Sequence, residues 1–294
     1  MRRAIALLVF SLACGGSRPV EQPSPPPIAP PGLLAGSDAA DAADATMSPA
    51  VSGTISESDF KALHVLKDGG AEVLAGQMID LPDGTRAYRS APAGADATTP
   101  AVLVVHEWWG LNNHIKHFAD RLAAEGYVAL AVDLYGGDVA TDADAAMARM
   151  KLVDATAATG TLQAGVQSLR TPGDRKLGVV GWCFGGGWSL QTALSTPDLD
   201  AAVVYYGKVE TDPAALAGLQ APLIGVFANR DQGIPTQSVD DFEAALEAAG
   251  KDATIHRYDA PHAFANPSNA DYDEEKAGDA WEKVRAFLGE KLKG

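Results

Sequence analysis

Residues 178–187 read Gly-Val-Val-Gly-Trp-Cys-Phe-Gly-Gly-Gly, which is the most informative segment of the chain for its fold. Its apolar first half predicts a buried strand, and the glycines that follow predict a tight turn leading into a helix. Glycines two places before and two places after Cys183 leave room for neighbouring backbone at the turn. The turn holds its central residue in a strained conformation, so we expect the Cys183 side chain to project above the sheet.

A strand, a sharp turn and a helix in this order form a nucleophile elbow, here with cysteine in place of serine. At the start of the helix, the Cys183 sulfur feels the positive end of the helix dipole, which favours a thiolate. The Phe184 N–H can donate a hydrogen bond to an oxyanion. One alternative is a plain turn with a buried cysteine. Another is a dinucleotide-binding loop, but the Gly-x-Gly-x-x-Gly register is missing.

Outward from this turn, short apolar runs rich in β-branched residues alternate with longer segments of helical periodicity. The alternation predicts an α/β fold with a mostly parallel central sheet and helices on both of its faces. The predicted strands are residues 85–90, 101–105, 127–132, 177–181, 201–206, 222–228 and 254–258. The predicted helices are residues 115–125, 143–153, 162–169, 186–195, 239–249 and 274–292.

An elbow nucleophile needs an acidic residue and then a histidine, each in a loop that follows a later strand. Asp231 comes just after the predicted strand 222–228, and His262 follows the predicted strand 254–258. Loops after parallel strands meet at one edge of the sheet. Either residue by itself could be an ordinary solvated loop residue. Together with the elbow, they predict a catalytic triad of Cys183, Asp231 and His262.

Several motifs in matching order are similar to those of the dienelactone hydrolase family, over residues 71–292 approximately. Besides the elbow they are His106-Glu107-Trp108-Trp109-Gly110-Leu111, Asp133-Leu134-Tyr135-Gly136-Gly137, Asp231-Gln232-Gly233-Ile234-Pro235 and His262-Ala263-Phe264. The resemblance implies an α/β-hydrolase fold and hydrolysis of a small lactone or carboxylic ester through a thioester acyl-enzyme. It implies a monomer, and we expect no cofactor.

The same resemblance assigns roles to two residues of the first motif. The family's glutamate reaches the resting thiol and takes its proton when substrate binds, and Glu107 matches that position. The next residue, Trp108, matches the one whose N–H is the second oxyanion donor. Trp108 and Trp109 can also be explained as pocket wall or core, where large aromatic side chains are common. Because a free thiol is mostly protonated at neutral pH, Glu107 and His262 both matter for the predicted rate.

The sequence departs from the family where the substrate is expected to bind. The resemblance implies an anion clamp of two arginines for the carboxylate of dienelactone, one of them four residues after the histidine, where this chain has Asn266. Ala263 stands where a serine is common, and Arg149 is the only candidate for the other arginine. We therefore expect other lactones or carboxylic esters as substrates.

The first residues carry the pattern of an export signal. Arg2 and Arg3 precede an apolar run, residues 4–12, that is too short to span a bilayer. Residues 11–15, Ser-Leu-Ala-Cys-Gly, resemble a bacterial lipobox with its leucine one place late, which makes Cys14 the lipidation candidate. We predict a signal peptide over residues 1–14 and an exported, membrane-anchored lipoprotein of the bacterial cell envelope or periplasm. A secreted soluble protein is the alternative.

Residues 15–58 are rich in proline, alanine and aspartate and poor in large apolar residues, which predicts a disordered linker. The folded domain is then expected over residues 59–294, a length sufficient for one well-buried core. The chain has two cysteines, so a lipid on Cys14 leaves Cys183 without a disulfide partner. A lone thiol in an oxidising compartment is either buried and inert or reactive.

Charge and residue spacing argue against several other functions. The chain has 23 Lys and Arg, 38 Asp and Glu, a net charge of −15 and no basic cluster, so no nucleic acid partner is expected. His114 and His117 lack zinc-motif spacing with His106, since glycine stands at position 110, and no metal is expected. Two functions remain as alternatives: a non-catalytic envelope lipoprotein that binds a ligand, and an acyltransferase or thioesterase using the same triad.

Overall fold

The computed structural model describes residues 73–171 and 173–294, so the predicted signal peptide and linker lie outside the described residues. The strands are β1 (Gln77–Asp80), β2 (Arg86–Ser90), β3 (Ala101–Val105), β4 (Val128–Val132), β5 (Leu177–Trp182), β6 (Ala201–Tyr205), β7 (Leu223–Ala228) and β8 (Ala253–Tyr258). The helices are α1 (Asn113–Ala124), α2 (Ala143–Leu152), α3 (Ala155–Arg170), α4 (Phe184–Ser195), α5 (Pro213–Leu216), α6 (Thr236–Ala248) and α7 (Glu274–Lys293).

All of these strands form one sheet, in the order β1-β2-β4-β3-β5-β6-β7-β8. The β1–β2 and β2–β4 pairs are antiparallel, and every other pair is parallel. The strands β3 to β7 are buried along their whole length. They are apolar at nearly every position because helices cover both faces of the sheet. The predicted α/β architecture is confirmed.

Two apolar cores lie on opposite faces of the sheet. On one face α1 and α7 pack through large side chains such as Phe118 and Trp281. On the other face α3, α4 and α6 contribute Leu162, Leu190 and Phe242. Each such side chain contributes roughly 1.5–3 kcal/mol when it is removed from water. The sheet is therefore a rigid base for the loops that leave its edge.

The structure differs from the sequence prediction in three places. No element is predicted for β1, a largely exposed edge strand, or for the single turn of α5. Helix α3 begins at Ala155 instead of residue 162, because its first turns are alanine and threonine without apolar periodicity. Asp154 caps this helix by accepting a hydrogen bond from the Ala157 N–H at 2.9 Å. The other boundaries differ by at most three residues.

The parallel strands bring the predicted functional residues to one edge of the sheet. Glu107 follows the C-terminal end of β3, and Cys183 follows the end of β5. Asp231 and His262 follow the ends of β7 and β8. Ligands bind at this edge in open α/β sheets, because the loops after parallel strands all leave on the same side.

Candidate active site

Cys183 is the single residue between β5 and α4. Its φ of 55° and ψ of −117° are rarely adopted by residues with a side chain. The flanking glycines are required by close packing, because a Cβ on Gly181 would lie 2.0 Å from the Gly185 carbonyl oxygen. A Cβ on Gly185 would lie 2.3 Å from the carbonyl oxygen of Val105. The strained turn expected from the sequence is present.

Backbone strain is concentrated at the same place. Within residues 73–171 and 173–294, the non-glycine residues with positive φ are Cys183, Tyr206 and Ala263. All three line the cavity above the elbow. Such conformations persist where surrounding packing enforces them, and they are common at functional sites.

Asp231 and His262 are joined by a short hydrogen bond. His262 Nδ1 lies 2.5 Å from Asp231 Oδ2, and His262 lines the same cavity as Cys183. The other carboxylate oxygen of Asp231 accepts hydrogen bonds from the N–H groups of Gly233 and Ile234, at 2.8 and 3.0 Å. The aspartate is thus fixed by its own loop, and it orients the histidine towards the sulfur.

The pKa shifts of this pair favour the charged forms. Burial lowers the pKa of His262, but its interactions with Asp231 and Cys183 outweigh burial and raise it to about 10. Burial raises the pKa of Asp231, but the hydrogen bonds from His262, Ile234 and Gly233 hold it below its usual value. His262 can therefore take the thiol proton and hold it as an imidazolium next to a carboxylate.

Glu107 is a buried carboxyl group with one partner. Glu107 is only 2% exposed, and its Oε2 accepts a hydrogen bond from Asn266 Nδ2 at 2.6 Å. Oε1 is buried and has no hydrogen-bond partner. Burial raises the pKa of Glu107 to about 7, although His262 and Asn266 act in the opposite direction. The group can therefore exchange a proton near neutral pH.

His106 fixes the loop that carries Glu107, a role that the sequence reasoning missed. Its Nδ1 lies 2.6 Å from the Glu107 carbonyl oxygen, and its Nε2 accepts a hydrogen bond from the Leu134 N–H at 3.1 Å. These contacts assign the proton to Nδ1. Burial lowers the pKa of His106, so the ring is neutral. The sequence signal for this role was that His106 stands directly before Glu107 in the first of the motifs similar to the family.

The two predicted oxyanion donors line the same cavity as Cys183. Phe184 is the first residue of α4, so its N–H has no acceptor within the helix. Trp108 is half-buried in the loop after β3, and its ring contacts Trp109 edge to face at 5.0 Å. Trp108 lines the cavity, and the oxyanion role of its backbone N–H stays a prediction.

Tyr206 is a second residue that the sequence reasoning did not single out. It follows β6, is fully buried, and its ring lies edge to face with His262 at 5.1 Å between centroids. Its hydroxyl group has no hydrogen-bond partner. The Tyr205-Tyr206-Gly207 end of the predicted strand gave the position but not its proximity to His262. Tyr206 therefore adds an unpaired hydroxyl group to the polar groups around His262.

The cavity above these groups has a volume of about 740 Å³. Its wall includes four aromatic residues, Trp108, Trp109, Phe184 and Trp188. A cavity with a few polar groups and a largely apolar wall is typical of a small-molecule site.

Comparison with known proteins identifies the family. The family model described as "Dienelactone hydrolase family" matches residues 85–292. The chain belongs to the dienelactone hydrolase family. A Salmonella typhi protein with the provisional name carboxymethylenebutenolidase is 34% identical over 252 residues, covering 75% of this chain and 93% of that protein. "Protein usf" of Aquifex pyrophilus is 34% identical over 234 residues, covering 74% and 99%.

Comparison with solved structures also indicates this family. A crystal structure of a provisionally named dienelactone hydrolase from Klebsiella pneumoniae has a TM-score of 0.68 and 31% identity, and the match covers 73% of this chain and 98% of that one. The α/β-hydrolase fold is thereby confirmed, and the protein is a hydrolase of the dienelactone hydrolase type.

Among the described residues of this dienelactone hydrolase family member, no arginine lines the cavity at Cys183. Arg149 is paired with Asp138 at 2.5 Å and lines a separate cavity of about 260 Å³. Asn266 donates to Glu107, and its Oδ1 accepts a hydrogen bond from the Ser268 N–H at 2.7 Å. Neither residue places a positive charge beside Cys183.

In the described part of the chain, no three His, Cys, Asp or Glu residues are grouped so as to hold a metal ion. No helix within residues 73–171 and 173–294 combines the length and apolar character needed to cross a bilayer.

Proposed function

We propose that this member of the dienelactone hydrolase family hydrolyses lactones or carboxylic esters through a thioester on Cys183. The observation that carries the proposal is the His262–Asp231 hydrogen bond beside Cys183, whose strained backbone places it at the cavity that His262 also lines. The provisional names of the relatives support the hydrolase class. Nucleophile, base and orienting acid are the parts needed for covalent catalysis.

In the first step, the Cys183 sulfur attacks the acyl carbon of the ester. The thiol proton passes to His262, and the carbonyl electron pair becomes an oxyanion that accepts hydrogen bonds from the N–H groups of Phe184 and Trp108. When the intermediate collapses, the bond to the alkoxy oxygen breaks. The leaving alcohol takes the proton from His262, and the acyl group remains on sulfur as a thioester.

In the second step, water replaces the alcohol. His262 accepts a proton from water as the oxygen attacks the thioester carbon, and Asp231 stabilises the imidazolium. The carbon–sulfur bond then breaks, the acid leaves, and Cys183 recovers its proton. With a lactone, the released alcohol and acid are parts of one molecule.

Glu107 supplies an additional proton acceptor for the resting thiol. With a pKa of about 7, the carboxyl is poised to ionise near neutral pH. Its unpartnered Oε1 is available to receive a proton while Asn266 holds Oε2. In this proposal Glu107 raises the fraction of reactive thiolate.

The test is hydrolysis of short aryl esters, simple lactones and dienelactone by the purified protein and its Cys183→Ala and Cys183→Ser variants. We expect turnover by the wild type, an acyl adduct on Cys183 in mass spectra, and a loss of kcat of about 10³-fold or more in the alanine variant. Folded wild type without turnover would support a ligand-binding lipoprotein instead. Transfer of the acyl group to an added alcohol in preference to water would support an acyltransferase.

For localisation, we propose export and a lipid anchor on Cys14. The support is the N-terminal sequence: a basic start, a short apolar run and a lipobox-like Ser-Leu-Ala-Cys-Gly. The expected result is incorporation of labelled palmitate into the full chain and none into Cys14→Ser. A wild type that is exported without label would identify the protein as secreted and soluble.

A further inference from the structure

The wall of the Cys183 cavity is built mainly from aromatic and apolar side chains. Its volume of about 740 Å³ is far larger than a lactone of a few atoms requires. Sites of roughly 300–1,000 Å³ usually enclose ligands of drug-like size. A substrate that used only the floor around the sulfur would leave most of this wall in contact with water. The volume therefore favours a substrate with a bulky group besides its ester bond.

The aromatic wall comes from two separate elements. Trp108 and Trp109 lie in the loop after β3 and contact each other edge to face. Phe184 and Trp188 lie one turn apart on α4 and contact each other edge to face, with centroids 6.2 Å apart. Edge-to-face rings accept a further ring or apolar group among them with favourable geometry. The wall thus matches an aromatic or similarly bulky apolar substituent.

The charged groups on this wall do not favour an anionic substrate. Apart from His262, Lys208 is the only basic side chain that lines the cavity among the described residues, and it is exposed to solvent. Glu210, two residues away, lines the cavity as well. At the buried end stands the carboxyl group of Glu107. A substrate carboxylate placed among the rings would lose its hydration without gaining an unpaired cationic partner, because His262 is already paired with Asp231.

Resting on the function proposed above, we propose that this site acts on uncharged esters or lactones whose acyl part carries an aromatic or similarly bulky apolar group. The carbonyl carbon reaches Cys183, while the bulky group lies against the rings of Trp108 and Trp188. Selectivity then comes from apolar contact, and the absence of a charge on the substrate avoids an unpaired carboxylate.

The test uses two matched pairs of 4-nitrophenyl esters with the full-length protein. The size pair is acetate and 3-phenylpropanoate. The charge pair is 3-(4-carbamoylphenyl)propanoate and 3-(4-carboxyphenyl)propanoate, which have nearly the same shape and differ in charge. Each kcat/KM is divided by the rate constant for hydroxide hydrolysis of the same ester. We expect phenylpropanoate to exceed acetate, and carbamoyl to exceed carboxylate, each by about tenfold or more.

Two variants locate the source of each preference. Trp188→Ala should reduce the phenylpropanoate-to-acetate ratio several-fold, since it removes one ring of the wall. Lys208→Met should leave the preference for the carbamoyl ester in place. If Lys208 instead recruits an anion, the carboxylate ester will be the better substrate of the wild type, and Lys208→Met will remove that advantage. This result, or an acetate rate equal to that of phenylpropanoate, would overturn the inference.

Binding of non-hydrolysable ketone analogues separates the inference from the proposed function. Each ester is replaced by the methyl ketone of the same acyl group, and Kd is measured by quenching of tryptophan fluorescence. If no ester is hydrolysed, the proposed function fails, but the order of the ketone affinities still decides the inference. Tighter binding of the phenyl and carbamoylphenyl ketones supports it, and tighter binding of the carboxyphenyl ketone contradicts it.

Discussion

The elbow around Cys183 and helix α2 lie at the same cavity and are built in opposite ways. At the elbow, Gly181 and Gly185 are in contact with neighbouring backbone, so that no extra atom fits. Along α2 only Ala146 is buried, and Leu152 is 75% exposed. Close backbone packing therefore fixes the position of Cys183, whereas helix α2 makes few buried contacts. We expect the side of the cavity formed by α2 to tolerate substitution.

The largest expected loss of activity comes from changing Asp231, the partner of the histidine beside Cys183. Asp231→Asn removes the negative charge opposite His262 while it keeps the side-chain shape, so kcat should fall by about 10⁴-fold. The urea midpoint of unfolding should stay close to that of the wild type. Ester hydrolysis and urea unfolding of the same preparations measure both quantities. A variant with near wild-type kcat would show that Asp231 does not orient the base.

The second prediction tests the packing of the elbow. Gly185→Ala places a Cβ against the carbonyl oxygens of Val105 and His106, so the free energy of unfolding should fall by about 3 kcal/mol. The matched control is Gly160→Ala on the exposed face of α3, where nothing lies within 4 Å of the new Cβ. This control should gain about 0.5–1 kcal/mol. Equal stability of the two variants would show that the backbone at Gly185 is packed no more tightly than the exposed face of α3.

The third prediction concerns pH. Because burial raises the pKa of Glu107 to about 7, this carboxyl is mostly protonated below that pH and mostly ionised above it. If it accepts the thiol proton, kcat/KM rises as pH increases through about 7. Glu107→Gln should remove that rise and lower the plateau by about 10²-fold. A rise that persists unchanged in the glutamine variant would assign it to another group.

The fourth prediction tests the partner of Glu107. Asn266→Leu removes the hydrogen bond to Oε2 and leaves the buried carboxyl without a partner, which should cost about 1–3 kcal/mol of stability. It should also raise the pKa of Glu107 further, because that bond lowers it, so the rise in kcat/KM moves to higher pH. A pH profile identical to that of the wild type would assign Asn266 a structural role only.

The smallest effect is expected on α2. Leu152→Ser replaces an exposed side chain, so the free energy of unfolding should change by no more than about 0.5 kcal/mol. Thermal or urea unfolding measures this change. A loss comparable to that of Gly185→Ala would mean that α2 is packed as tightly as the elbow.

The sequence allowed much of the fold to be predicted because the signals are local. The central strands are continuous apolar runs, and their predicted limits differ from the structure by at most one residue. β1 and the start of α3 carry no such periodicity, so they were missed. Pairing in the sheet stabilises an exposed strand such as β1, and that pairing is not visible in its own residues.

Local residue patterns are enough to specify the strained turn at Cys183 and the order in which Asp231 and His262 follow their strands, because turn chemistry and strand patterns act over a few residues. The folded arrangement was needed to show that Asn266 holds Glu107, a residue 159 positions away, and that Arg149 is paired outside the main cavity. Those features could not be read from local patterns, because pKa, charge pairing and cavity shape depend on which distant side chains packing brings together.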